Sequence, residues 1–330
     1  VITPIVNPFI PNPDFFDRKI RGMWITGHER IFHTHGDLAG IEGVWNAQGQ
    51  VKGLWYAPVE TTWKSGAYQV GSTQKAVKRK HRDCILGFHI TETPSAGAED
   101  NESDFSGIFD FEVDPYDDDP EPTTIHIDTD RSGERMLDVL KYENPDFEPE
   151  VDPIEQQYFN LILKVRAGQP NWYELDPTTG ANFKTVFQSG SDKAEGFIEV
   201  ENPTDQVMHQ KWTLTRATWT VPDVSWKGRK GYRKPGGTWI NRTLTLEPIT
   251  IVQGGVVISL DSKDLMVRDH NYTNALPSLL PDGRHFLNTI PPHTPKTLLP
   301  ISYKDAPAGG ARAELIQPHT WDKPWGGEQW

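Results

Sequence analysis

The stretch Gln157 to Gly168, "QYFNLILKVRAG", decides the class of fold. Phe159, Leu161, Leu163 and Val165 fall on one side at period two, while Asn160, Lys164 and Arg166 share the other with Ile162. Alternation of this kind buries one face of an extended chain and wets the other, which is a half-buried strand.

Working outward, "CILGFHI" repeats the pattern: Cys84, Leu86, Phe88 and Ile90 alternate with Ile85, Gly87 and His89. Further strands are predicted at "GMWITG", "ERIFHTH", "GIFDFEV", "TTIHIDT", "ERMLDVLKY", "FIEVEN", "KWTLTRATWT", "RTLTLEPITIV" and "GVVISLDS", each bounded by turn residues. Helical periodicity is weak. The 27 prolines and 28 glycines punctuate the chain into short elements. The expected class is all-β, with short strands at the spacing of sandwiches.

A chain of 330 residues favours two cores over one. "AGQPNWYELDPTTGAN" ends a strand and brings Pro170, Pro177 and Gly180 into a polar stretch, so the boundary is expected near Asp176, giving domains 1–176 and 177–330. No internal repeat of fixed period is visible.

A formal charge of −13 argues against stable nucleic-acid binding, which needs a basic face to displace counterions. Pro4, Pro8, Pro11 and Pro13 interrupt the first residues, so no secretory signal is expected there, and no apolar run approaches the roughly 20 residues of a membrane-spanning helix. The one cysteine, Cys84, reads as a core residue rather than a nucleophile.

Charge is unevenly placed. Between Ala98 and Glu121 stand eleven acidic residues and no Lys or Arg, interrupted by Phe105, Ile108, Phe109, Phe111 and Val113; a strand flanked by acidic loops is expected. Just before it, "KAVKRKHR" carries five basic side chains. The basic run is either a solvated face or a contact for an acidic surface; in a head-to-tail assembly, Lys78, Arg79 and Lys80 are candidates for one side of a subunit interface, and Asp117, Asp118 and Asp119 for the other.

Metal chemistry has two weak motifs. His33, His35 and Asp37 would project from one strand face, as ligands must, but Leu38 stands where the HxHxDH pattern requires His, and Gly36 and Gly40 turn the chain. Asp128, Asp130, Ser132 and Gly133 imitate the start of a calcium loop, yet position twelve is Val139 and the flanks are strand-like, so a tight hairpin accounts for them equally. No G-x-S-x-G, Walker A, G-x-G-x-x-G or paired C-x-x-C pattern is present. No cofactor and no catalytic set are expected. Among twelve tryptophans, Trp226 and Trp239 fall in the loop "WKGRKGYRKPGGTW" and are candidate glycan contacts.

"GDLAGIEGVWNAQGQVKGLWYAPVE" and "GAYQVGS", with Gly40, Gly43, Gly53, Pro58 and Gly71-Ser72, together resemble the N-terminal domain of distal tail proteins of long-tailed phages, particularly those infecting actinobacteria. The resemblance continues through "QQYFNLILKVRAGQPNWYE", then "FIEVENPTD", and closes on "FLNTIPPHTPKTLLP" and "WDKPWGG", spanning nearly the whole chain in order. It implies a ring-forming first domain and a galectin-like, jelly-roll second domain. It also implies a homohexamer at the end of the tail tube, a channel for DNA, and contacts with the tube, the tail-tip proteins and the tape-measure protein. The implied location is the virion, after assembly in the bacterial cytoplasm. "DPYDDDPEP" and residues 226–239 match no motif of that family.

Overall fold

The computed structural model describes residues 20–117, 120–145 and 147–328. The chain is nearly all β and divides into two compact units: one runs to Pro170 and takes in Lys323–Gly326, the other is Asn171–Asp322 with the residues after Gly326.

The first unit holds β1 (Ile20–Gly27), β2 (Arg30–Gly36), β3 (Val44–Asn46), β4 (Val59–Lys64), β5 (Thr73–Arg79), β6 (Arg82–Thr91), α1 (Ala98–Ser106), β7 (Thr123–Thr129), β8 (Gly133–Glu143), α2 (Pro153–Gln156) and β9 (Tyr158–Ala167). Seven strands form one sheet in the order β2-β1-β7-β8-β9-β6-β3, and the end strands β2 and β3 come together, so the sheet curls around its own apolar face. Its spine is the β6–β9 ladder, antiparallel from Arg82↔Ala167 to Thr91↔Tyr158 without a break. Phe159, Leu161, Leu163 and Val165 are buried together with Cys84, Leu86, Phe88 and Ile90, as period two requires. Each large apolar side chain fully buried contributes about 1.5–3 kcal/mol. On the wet face, Arg166 forks onto Asp83 (2.6 and 3.0 Å) and lies over the Tyr142 ring.

The acidic stretch differs from its expected form. Residues 98–106 are helical, and 107–113 form turns rather than a strand. Phe105, Ile108 and Phe109 recur at helical spacing and all three are buried; Phe105 meets Phe32, Phe88 and Phe109 edge-on. The exposed carboxylates of Glu99, Asp100 and Asp104, ahead of Phe105, face water and hide that pattern in the sequence.

Two of the glycines in the resembling segments have backbones that exclude a side chain. Gly40 (φ 78°) lies under the Trp45 ring, and Gly53 (φ 85°) passes against the backbone of Asp83; a Cβ at either site collides.

The second unit holds β10 (Trp172–Glu174), β11 (Phe183–Ser189), β12 (Ala194–Asn202), β13 (Lys211–Leu214), β14 (Thr218–Pro222), β15 (Trp226–Lys227), β16 (Lys234–Pro235), β17 (Thr243–Thr245), β18 (Val256–Ser259), β19 (Val267–Asp269), α3 (Leu276–Leu279), β20 (Thr294–Lys304), β21 (Ala311–Gln317) and β22 (His319–Trp321). A five-stranded sheet, β11-β21-β13-β18-β19, and a four-stranded sheet, β12-β20-β14-β17, share one core that includes Trp212, Trp219, Ile198, Ile258, Ile301 and Leu315. That is a sandwich. The strand expected across 242–252 is confined to Thr243–Thr245, and "KWTLTRATWT" is two strands split at Thr215–Ala217.

The segments "FIEVENPTD" and "FLNTIPPHTPKTLLP" are joined by Asn202, which is fully buried. Its amide nitrogen donates to the carbonyls of Gln206 (2.9 Å), Ile290 (3.1 Å) and Pro291 (3.1 Å), and its oxygen accepts from the Thr204 N–H and hydroxyl. Asp223, also buried, accepts from the Leu287 and Asn288 N–H groups and pairs with Arg242 (3.2 Å); burial outweighs these partners and raises its pKa. Asn202→Asp replaces a donor with a charge facing three carbonyls. We expect it to cost about 3 kcal/mol or more, read as a lower urea midpoint; an unchanged midpoint contradicts the clasp.

Candidate interaction surfaces

β4 and β5 form a two-stranded sheet of their own, paired from Val59↔Arg79 to Lys64↔Thr73 with an irregularity at Thr62/Trp63. Every residue from 59 to 81 is exposed, so neither face of this hairpin is covered. Trp63, Val77 and Val59 are about half exposed, and Tyr68 and Val70 at the tip fully so. By contrast, the root is fixed. The Lys80 N–H donates to Pro58 O (3.2 Å). Arg82, wholly buried, donates to the carbonyls of Gly53 (3.2 Å), Leu54 (2.5 Å) and Pro170 (2.7 Å). The segment before the arm and the strand after it are thereby held by one guanidinium.

The interface candidates Lys78 and Arg79 lie on β5, exposed, and Lys80 at the root pairs with Glu60 (2.8 Å), which holds that carboxyl below its ordinary pKa. Asp117 is an exposed loop residue; Asp118 and Asp119 lie outside the described residues. Asp117 lines a depression of about 450 Å³ with Glu29, Asp110, Glu112, Asp114 and Glu121, where His28 Nε2 meets Asp110 (2.6 Å). The arm and this acidic depression were legible only as charge runs. The arm has no buried face, so no apolar alternation marks its strands.

His33, His35 and Asp37 stand at the end of β2, where Gly36 (φ 99°) turns the chain. His33 Nδ1 is held by Glu42 (2.9 Å), whose other oxygen accepts the His33 N–H, and the ring tilts toward Trp24. Trp24 in turn stacks on His126, which is bonded to Glu134 (2.7 Å) and Thr26 (2.9 Å). The histidines thus serve a polar row on the sheet. Asp128 and Asp130 lie where β7 turns into β8, and both face Arg21, whose Nε donates to Asp130 and whose Nη1 is 3.9 Å from Asp128. Burial raises the Asp128 pKa more than Arg21 lowers it. Among the described residues, no three His, Cys, Asp or Glu side chains converge as a metal requires. Cys84 is fully buried, and burial pushes its thiol up to about 12.

In the second unit the Trp226 ring packs against the core, whereas Trp239 is half exposed with Arg242 over its ring. Of the two aromatic candidates, Trp239 alone presents substantial ring area to a ligand. Among the described residues no helix is long and apolar enough to cross a membrane.

No family model matches the sequence. The chain is similar to minor tail proteins of mycobacteriophages. Minor tail protein Gp27 of Mycobacterium phage D29 is 23% identical over 337 residues, covering 90% of this chain and 95% of the relative, and its namesake of Mycobacterium phage L5 is 23% identical over 341 residues with the same coverage. Among solved structures, the chain is similar to the SPP1 Dit (gp 19.1) protein, described as a hub adsorption apparatus of phages infecting Gram-positive hosts. The TM-score is 0.49, with 9% identity over 90% of this chain and 98% of that one. A chain of the phage P2 baseplate in its activated conformation gives 0.42, with 8% identity over 92% and 100%.

Elemental analysis of the purified protein is expected to find no stoichiometric zinc, manganese or calcium, and His33→Ala with His35→Ala to leave the metal content unchanged. One bound metal per chain, lost in that double variant, contradicts the assignment of His33 to Glu42 and the Trp24 row.

Proposed function

We propose that the chain is a structural component of a phage tail tip, present in the virion after assembly in the host cytoplasm. It assembles as a ring, hexameric and open to DNA, that joins the tail tube to the tail-tip and tape-measure proteins. The observation that carries this is the similarity to two minor tail proteins along nine tenths of the chain, which takes in both units. An acidic chain also suits a channel that must release DNA rather than hold it.

The ring is assigned to residues 1–176 and the outer decoration to 177–330. Arg135, fully buried, donates to the carbonyls of Lys323 (2.8 Å) and Gly326 (3.0 Å), so a ring-forming fragment has to carry that closing segment as well. Native mass spectrometry at micromolar concentration, alone and with tail partners, is expected to give a closed cyclic oligomer. A strictly monomeric mass in every mixture contradicts it.

A second reading, adhesion to a cell-envelope glycan, is supported by the half-exposed Trp239 ring. It predicts saturable binding on a glycan array that Trp239→Ala abolishes; an array without signal removes it.

A further inference from the structure

We propose that the β4–β5 arm of one copy seats in the acidic depression of a second copy, and that this contact closes the assembly. The inference rests on the ring reading and names the two surfaces that meet.

Three observations converge. A two-stranded hairpin bare on both faces is marginal in water by itself, yet this one presents Trp63, Tyr68, Val70 and Val77 to solvent. Its charge is opposite to that of the chain: residues 59–81 hold five Lys and Arg against one Glu, within a total of −13. Among the described residues, Lys64, Lys75, Lys78 and Arg79 make no ion pair, so the positive charge is available.

The depression supplies the complement. Glu29, Asp110, Glu112, Asp114 and Glu121 surround it, and Val113 and Leu140 add apolar lining. A cyclic head-to-tail assembly needs two different, mutually complementary patches on each subunit. The arm and the depression are two such patches on one unit, and opposite charges fix which of the many antiparallel or slipped placements is adopted. Nucleic acid is the competing occupant for a basic, aromatic arm. A chain this acidic disfavours it, and the acidic depression gives the arm a partner within the same protein.

The test uses the full chain. Cys84 is buried and inert toward maleimides, so introduced cysteines report alone. One preparation carries Lys75→Cys, another Glu112→Cys, and the two are mixed with a short bismaleimide. A cross-linked pair that forms only in the mixture supports the contact.

In parallel, Lys75, Lys78 and Arg79→Glu, and separately Glu112, Asp114 and Glu121→Lys, are each expected to weaken assembly at least tenfold. Mixing the two restores it. If the wild type assembles while both variants assemble equally well and no cross-link forms, the arm contact is overturned and the ring stands. A monomeric wild type overturns both. Retarded DNA in a gel shift, lost in the arm variant while assembly persists, makes nucleic acid the occupant and overturns the proposal.

Discussion

The buried guanidinium of Arg82 is the interaction on which the first unit depends. It is a cation without exposure, satisfied by main-chain oxygens at Gly53, Leu54 and Pro170. Removing a charge from water costs several kcal/mol, and hydrogen bonds of good geometry must offset that. What the arrangement secures is placement. Gly53 and Leu54 precede the hairpin, Arg82 opens β6 immediately after it, and Pro170 follows β9, so the ladder at the centre of the sheet and both roots of the arm share one node. The arm therefore leaves a rigid core at a set place, while its own two strands rest on nothing within the described chain.

This division of stability separates the two units. In the second, both sheets cover one another, and side-chain clasps at Asn202 and Asp223 lock the long returning segment onto the sandwich. In the first, the curled sheet buries its own face and then exports a strand pair with aromatic and aliphatic side chains in water. Such a surface is costly in a monomer and useful in an assembly, where the same side chains are removed from water by a neighbour.

Strands that bury one face were legible in the sequence, because period two in "CILGFHI" and "QYFNLILKVRAG" is the imprint of that burial. The arm left no such imprint, since no face of it is buried in one chain. α1 was obscured by the solvent-facing carboxylates of Glu99, Asp100 and Asp104, which leave Phe105 as its one large buried apolar side chain. Pro295 and Pro300 break up the appearance of β20, although Leu299, Ile301 and Tyr303 alternate inward. The shared face of His33 and His35 followed from spacing, but Glu42, which claims His33, arrives from the turn beyond Gly40 and no spacing rule points to it. Asn202 is the plainest case. The motif around it was recognisable as a pattern, and only the fold shows that its amide joins segments 88 residues apart.

The central claim is that the hairpin is ordered by a neighbouring copy rather than by its own chain. Hydrogen exchange of the backbone amides in residues 59–81, followed as the protein is concentrated from monomer into oligomer, tests it most directly. The account predicts fast exchange in the monomer, slowing by at least tenfold on assembly, while amides of the β6–β9 ladder stay protected throughout. Exchange in the hairpin that is equally fast in monomer and oligomer would contradict it.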